Sequence, residues 1–245
     1  MSPHDAHQWV SQAITDSYAG DYEQAYGAYQ RAFELEPSSV SLNYNWAITA
    51  LRRGDHLQIN ECAIRLMDAA PGDWRTLMAQ AYSAELSNEI QSGWQFSLRA
   101  YAQAGSRRDH EELAAATADV LWFAYRNRLQ GQSAEIIDQV FDEGSFSESI
   151  LDVLRKLSGK RSDRAVDYAV LVEGDFANPA FPKSSRYVRS YRVLAESKGE
   201  AGQMALDFEA RCGEKGLRVS SVEEKSEACE DNLGVWWLLQ AQVIS

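Results

Sequence analysis

Residues able to do chemistry are present in this sequence but thinly spread. His4 and His7 stand three apart, a spacing that puts two imidazoles on one helical face, as metal ligands require. No third ligand lies nearby, and the pair sits at a chain end that tends to fray. His110-Glu111-Glu112, and Asp138 with Asp142, set carboxylates at helical spacings suited to general acid–base work, although solvated helix faces account for them better. No HExxH, CxxC, GxSxG or GxGxxG occurs. Ser158-Gly159-Lys160-Arg161-Ser162 lacks the leading glycine and preceding strand of a phosphate loop. Cys62, Cys212 and Cys229 form no metal-type pair and read as reduced thiols. The expectation is a chain with no catalytic residue, no metal and no cofactor.

The bulk composition is that of an ordinary globular protein, and its acidity is either simple surface solvation or a preference for a basic partner. With 245 residues, 45% hydrophobic and 24% charged, the chain has room for one elongated or two compact domains. A net charge of -12 argues against nucleic acid and anionic membrane as partners and favours a basic protein. Met1-Ser2-Pro3-His4-Asp5 shows no secretory pattern, and the longest apolar runs are too short to span a bilayer, so a cytoplasmic location is expected.

The elements that would position a binding surface are marked by punctuation. Gly20-Asp21 returns as Gly54-Asp55 after 34 residues, and Pro37 returns as Pro71 at the same interval. A period of this length suits two helices and two turns. Gly20 and Gly54 fit left-handed caps that end a first helix, and Asp21 and Asp55 can cap the second. Ala25, Tyr29 and Ala32 share one face of that second helix, while Pro37 and Pro71 stop it. In the next copy Ile59 and Ala63 take the places of Ala25 and Tyr29. A third, weaker copy has Asn88 in place of the glycine and Gly105 in place of the proline.

Over about residues 6–105 the chain resembles the tetratricopeptide repeat family. First helices are expected at Ala6 to Ala19, Val40 to Arg53 and Trp74 to Ser87, with Gly93 to Ala104 as the last second helix. Asp109 to Leu129, Ser133 to Phe141 and Phe146 to Leu157 continue as degenerate repeats or a capping unit, the two shorter ones introduced by serines able to cap them. The expected fold is therefore an α-helical tetratricopeptide-like solenoid over 1–158 followed by a small α+β (ββαββ) domain over 165–245. In the latter, Tyr168 to Glu173, Tyr187 to Ala195, Leu217 to Val222 and a long Leu233 to Val243 read as strands. Leu233, Val235, Trp237, Leu239, Ala241 and Val243 would share one face of the last strand, and Ala201 to Cys212 would form the helix.

Two surfaces follow. The resemblance implies a concave groove lined by first helices that accepts a segment of another protein, here carrying Val10, Ile14, Ser17, Tyr44, Asn45, Ile48, Arg52, Arg75, Met78, Tyr82 and Glu85. Chaperone-binding members of the family grip a terminal carboxylate with lysines and asparagines; Val10 and Ile14 stand in those places, so that clamp is absent. Tyr44, Ile48 and Tyr82 either face this groove or pack against later helices. The second surface is an acidic loop containing Glu223, Glu224, Glu227, Glu230 and Asp231, which either meets a partner or pairs with Arg186, Arg189 and Arg192. The functional expectation is a non-catalytic interaction protein binding a protein partner. The alternative is an immunity or antitoxin-type protein that blocks a basic toxin such as a nuclease, and an enzyme ranks third.

Overall fold

The computed structural model describes residues 5–107, 109–175, 186–226, 229–239 and 242–244. Two compact units divide the chain at Asn127 and Arg128.

The first unit is a helical repeat. Helices α1 (Ala6–Ala19), α3 (Val40–Arg53) and α5 (Trp74–Leu86) begin 34 residues apart, as do α2 (Tyr22–Leu35), α4 (His56–Ala69) and α6 (Ile90–Ser106). A seventh helix, α7 (His110–Arg126), follows. The punctuation works as local chemistry dictates. Gly20 and Gly54 adopt left-handed φ of 85° and 74°, and Asn88 reaches the same region at 61°. The Asp55 carboxylate accepts from the Gln58 backbone N–H at 3.1 Å, whereas the expected Asp21 cap makes no such bond. Ala25, Tyr29 and Ala32 are fully buried, and Tyr29 stacks on Trp46 of α3 with ring centroids 5.5 Å apart. Small side chains let these helices approach closely enough for the aromatic ring to fill the remaining space. No helix among the described residues is long and apolar enough to cross a membrane.

The second unit begins earlier than the sequence suggests. Helices α8 (Ala134–Glu143) and α9 (Glu148–Ser158), expected with the helical array, group with the sheet. Phe141 and Phe146 meet Phe208 with centroids 5.0 and 4.8 Å apart, and Leu151 belongs to the same core as Tyr168, Val170 and Tyr191. Ser147 caps α9 through Ile150 N–H; Ser133 forms no side-chain cap on α8.

Among the described residues its sheet is antiparallel and six-stranded rather than four-stranded. The strands are β1 (Arg161–Asp175), β2 (Arg186–Ala195), β3 (Lys215–Glu224), β4 (Cys229–Asn232), β5 (Gly234–Leu238) and β6 (Gln242–Ile244), with α10 (Lys198–Arg211) between β2 and β3. The path runs β3-β1-β2-β5, with β4 added on β1 and β6 on β2. Strand β1 is long enough to pair β4 along Arg161–Ala165 and β3 along Tyr168–Asp175. Residues 161–164, which fall between the two expected domains, thus supply the start of β1. The expected long last strand is two, β5 and β6, and a register shift sets Val193 opposite Val235 but Arg192 opposite Trp237. The bulge breaks the anticipated alternation: Val235 and Leu238 join the core, while Trp236 donates its indole N–H to Asp167. Ala241 lies outside the described residues.

Candidate functional site

The first-helix face of the repeat unit is built from three parallel stripes. Val10, Ile14 and Tyr18 recur on α1, Tyr44, Ile48 and Arg52 on α3, and Met78, Tyr82 and Leu86 on α5, each at intervals of four. The structure brings Tyr44 and Tyr82 together, with hydroxyls 3.3 Å apart and rings 6.3 Å apart between centroids. Both are buried, because α7 occupies this part of the face. The Tyr44 hydroxyl donates to Asp119 Oδ2 on α7 at 2.5 Å. Burial raises the pKa of both phenols well above the usual tyrosine range, and the negative Asp119 reinforces this, so they stay protonated at neutral pH. Burial also raises the Asp119 carboxyl, against the opposing pull of the Tyr44 hydrogen bond and Arg126.

The charged residues of the expected groove are likewise engaged. Glu85 holds Arg126 of α7 through two bonds of 2.8 Å each, Nε to Oε1 and Nη2 to Oε2, and the guanidinium lies over the Tyr82 ring. Arg75 donates to Asp73 at 2.9 Å and to Glu112 at 2.5 Å. Arg107 donates to the same two acids at 2.8 and 3.1 Å, closing a four-membered ion network. Burial works to raise Asp73, but the Arg75 backbone N–H and Arg107 outweigh it and hold that carboxyl below its usual range. Asn45 turns back to the Ser41 carbonyl at 2.8 Å. Tyr44, Tyr82, Arg75 and Glu85, picked from sequence as partner contacts, are therefore fixed by contacts within the unit, chiefly to α7.

What stays open lies in the first two repeats. Tyr18 is 74% exposed, and the Arg52 guanidinium sits 4.0 Å from its ring centroid. Ile14 and Ile48, one turn earlier on each helix, are half-buried. Arg52 was legible from the periodicity. Tyr18 was not singled out, although it precedes Arg52 by one 34-residue period.

In the second unit the acidic stretch is not a free loop. Glu223 and Glu224 end β3 and are exposed, with Lys225 Nζ 2.7 Å from Glu223 Oε2. Lys225 N–H then bonds the Asp167 carbonyl, which ties the stretch to β1. Asp231 and the backbone of Glu230 belong to β4, and Asp231 lies 3.4 Å from Arg155. Glu227 is outside the described residues. Strand pairing along β1 thus spreads these acids over two strands. The three arginines expected as an alternative partner pair elsewhere: Arg186 with Glu173 at 2.6 Å, Arg189 with Glu209 at 3.1 Å and Arg192 with Asp167. Glu209 is fully buried between α10 and the sheet and also accepts from the Tyr191 hydroxyl. Among the described residues no cluster of His, Cys, Asp and Glu could hold a metal ion.

No family model matches the chain. No curated protein matches it. A solved structure from work on the functional characterization of Pseudomonas aeruginosa pilF is similar, at 14% identity and a TM-score of 0.45, over 62% of this chain and 67% of that one.

Proposed function

We propose that the chain is a non-catalytic interaction protein of tetratricopeptide type, which holds a protein partner against the open part of its first-helix face. The observation that carries the reading is the Tyr18–Arg52 pair: an aromatic ring left 74% exposed and covered on one side by an arginine. Tyrosine and arginine are the side chains that most often anchor protein interfaces, and the half-buried Ile14 and Ile48 beside them supply an apolar floor. The 34-residue recurrence of both helices supports the family reading. Replacing Tyr18 and Arg52 together by alanine should abolish recovery of the partner in a pull-down read by mass spectrometry, with circular dichroism unchanged. A folded double variant that still recovers the same partner would move the interface elsewhere.

A second reading rests on a different observation. Glu223 and Glu224 stand exposed at the end of an edge strand in a chain of net charge -12. Such an edge would steer a basic partner, and an antitoxin-type protein covering a basic toxin is the form this would take.

A further inference from the structure

The second unit contains a solvent-open cavity of about 360 Å³ lined by α8, α9, α10 and the start of β5. Its apolar wall is made by Ile137, Phe141, Leu154, Phe208 and Val235. Phe141 and Val235 are buried, whereas Ile137, Leu154 and Phe208 remain half-exposed beside the hollow. A cavity of this size falls within the range that small-molecule sites occupy, and an apolar wall with a few convergent polar groups is their usual composition.

Three charged groups line it: Arg155, Arg211 and Asp138. The Arg211 guanidinium carbon lies over the Phe141 ring, 4.1 Å from its centroid, so its charge stands beside the apolar wall. Its ion partner is Asp138 at 2.7 Å, with side chains 47% and 68% exposed. Exposed pairs of this kind contribute little to stability, so a competing carboxylate can displace Asp138 at small cost. Arg155 is 9% exposed and anchored by the Asn232 carbonyl and Asp152, each at 2.7 Å. Its Nε–H is buried without a hydrogen-bond acceptor. A buried donor left unmet is costly. Arg155 is already neutralised by Asp152 and Asp231, which leaves Arg211, held only by the exposed Asp138, as the cation open to a ligand.

We infer that this cavity binds a small monocarboxylate bearing an apolar chain or ring. The hydrocarbon would lie on Phe141, Phe208 and Leu154, and the carboxylate would accept hydrogen bonds from Arg211. Octanoate is the probe, with octylammonium as its charge-reversed counterpart, in calorimetric titration of the full chain. Octanoate should bind saturably at one site with about millimolar affinity or better, and octylammonium should not. Arg211→Gln should weaken octanoate about tenfold, through loss of one charged hydrogen bond. Ile137→Trp should fill the hollow and remove binding, with circular dichroism checking its fold. Absence of saturable octanoate binding up to about 10 mM overturns the proposal, as does equal binding of octylammonium. So does unchanged affinity in Arg211→Gln, whose exposed position makes it the deciding variant if Ile137→Trp fails to fold.

Discussion

The hydroxyl of Tyr44 on α3 donates to the carboxylate of Asp119 on α7 at 2.5 Å, across 75 residues of sequence. This bond, with the Tyr82 hydroxyl beside it, ties the second and third repeats to the helix that follows them. It also fixes which part of the first-helix face is open to a partner and which part is interior.

Asp119 makes stability depend on pH. Burial raises its pKa above the ordinary 3.8, so between that value and its folded-state value the unfolded chain releases a proton that the folded chain keeps. Its contribution is greatest below 3.8 and is lost as pH rises through the folded-state pKa. Asp119→Asn keeps an acceptor for Tyr44 without the charge. The variant should therefore gain stability relative to the native chain between pH 4 and pH 7, as measured by urea unfolding at each pH. A difference that does not grow with pH would sink this account of the cluster.

A different residue controls how closely α6 approaches α7. A Cβ built on Gly93 would lie 2.6 Å from Phe123 Cζ and 3.1 Å from the Ala81 carbonyl oxygen. Phe123 is fully buried and stacks on Trp94, so it has no free direction in which to yield. Overpacking of this type costs about 1–3 kcal/mol, against roughly 1 kcal/mol gained from the better helix propensity of alanine. Gly93→Ala should therefore lower the denaturation midpoint. Gly27, on an open helix face with no atom within 4 Å, provides the contrast: Gly27→Ala should raise it.

Where local chemistry sets structure, the sequence was a good guide. The first helices start at the residues expected, because glycine, aspartate and proline each act within one turn of where they stand. Asn88 takes the left-handed φ for the same reason. That Tyr44 and Tyr82 could pack against later helices was open from the sequence; the residue that meets them was not, since Asp119 reaches Tyr44 only after α7 folds back on α3 and α5. A lone acid between Ala118 and Val120 in an apolar run was the available signal. In the second unit, acidic composition hid β4, and the bulge at Trp236 defeated a strict two-residue alternation.

The second unit has its own buried acid. Glu209 is inaccessible to solvent, pairs with Arg189 at 3.1 Å and accepts from the Tyr191 hydroxyl. Burial raises its pKa, with the hydrogen bond and the arginine opposing. Removing one partner of such a pair leaves the other charged and desolvated. Glu209→Leu should cost about 3–5 kcal/mol, and adding Arg189→Met should restore much of the loss. The two unfolding midpoints measure this; additive losses would mean that the two residues are not coupled.

The acidic edge gives the test that separates the two functional readings. Glu223 and Glu224 are exposed, so reversing both to lysine should change folding stability by no more than about 0.5 kcal/mol. If they steer a basic partner, association should slow, and the effect should be larger at low salt, because charges are screened beyond about 10 Å at 0.1 M. Glu223 already has Lys225 as an intramolecular neighbour at 2.7 Å, so Glu224→Lys alone should produce the larger share of the effect. Stopped-flow association at two salt concentrations reads this directly. Unaltered rates at low salt for the folded double variant would remove the edge as an interface, and a toxin-blocking role with it. The Tyr18–Arg52 face would then carry the partner, and in that case Tyr18→Ala should raise the dissociation rate with little change in the salt dependence of association.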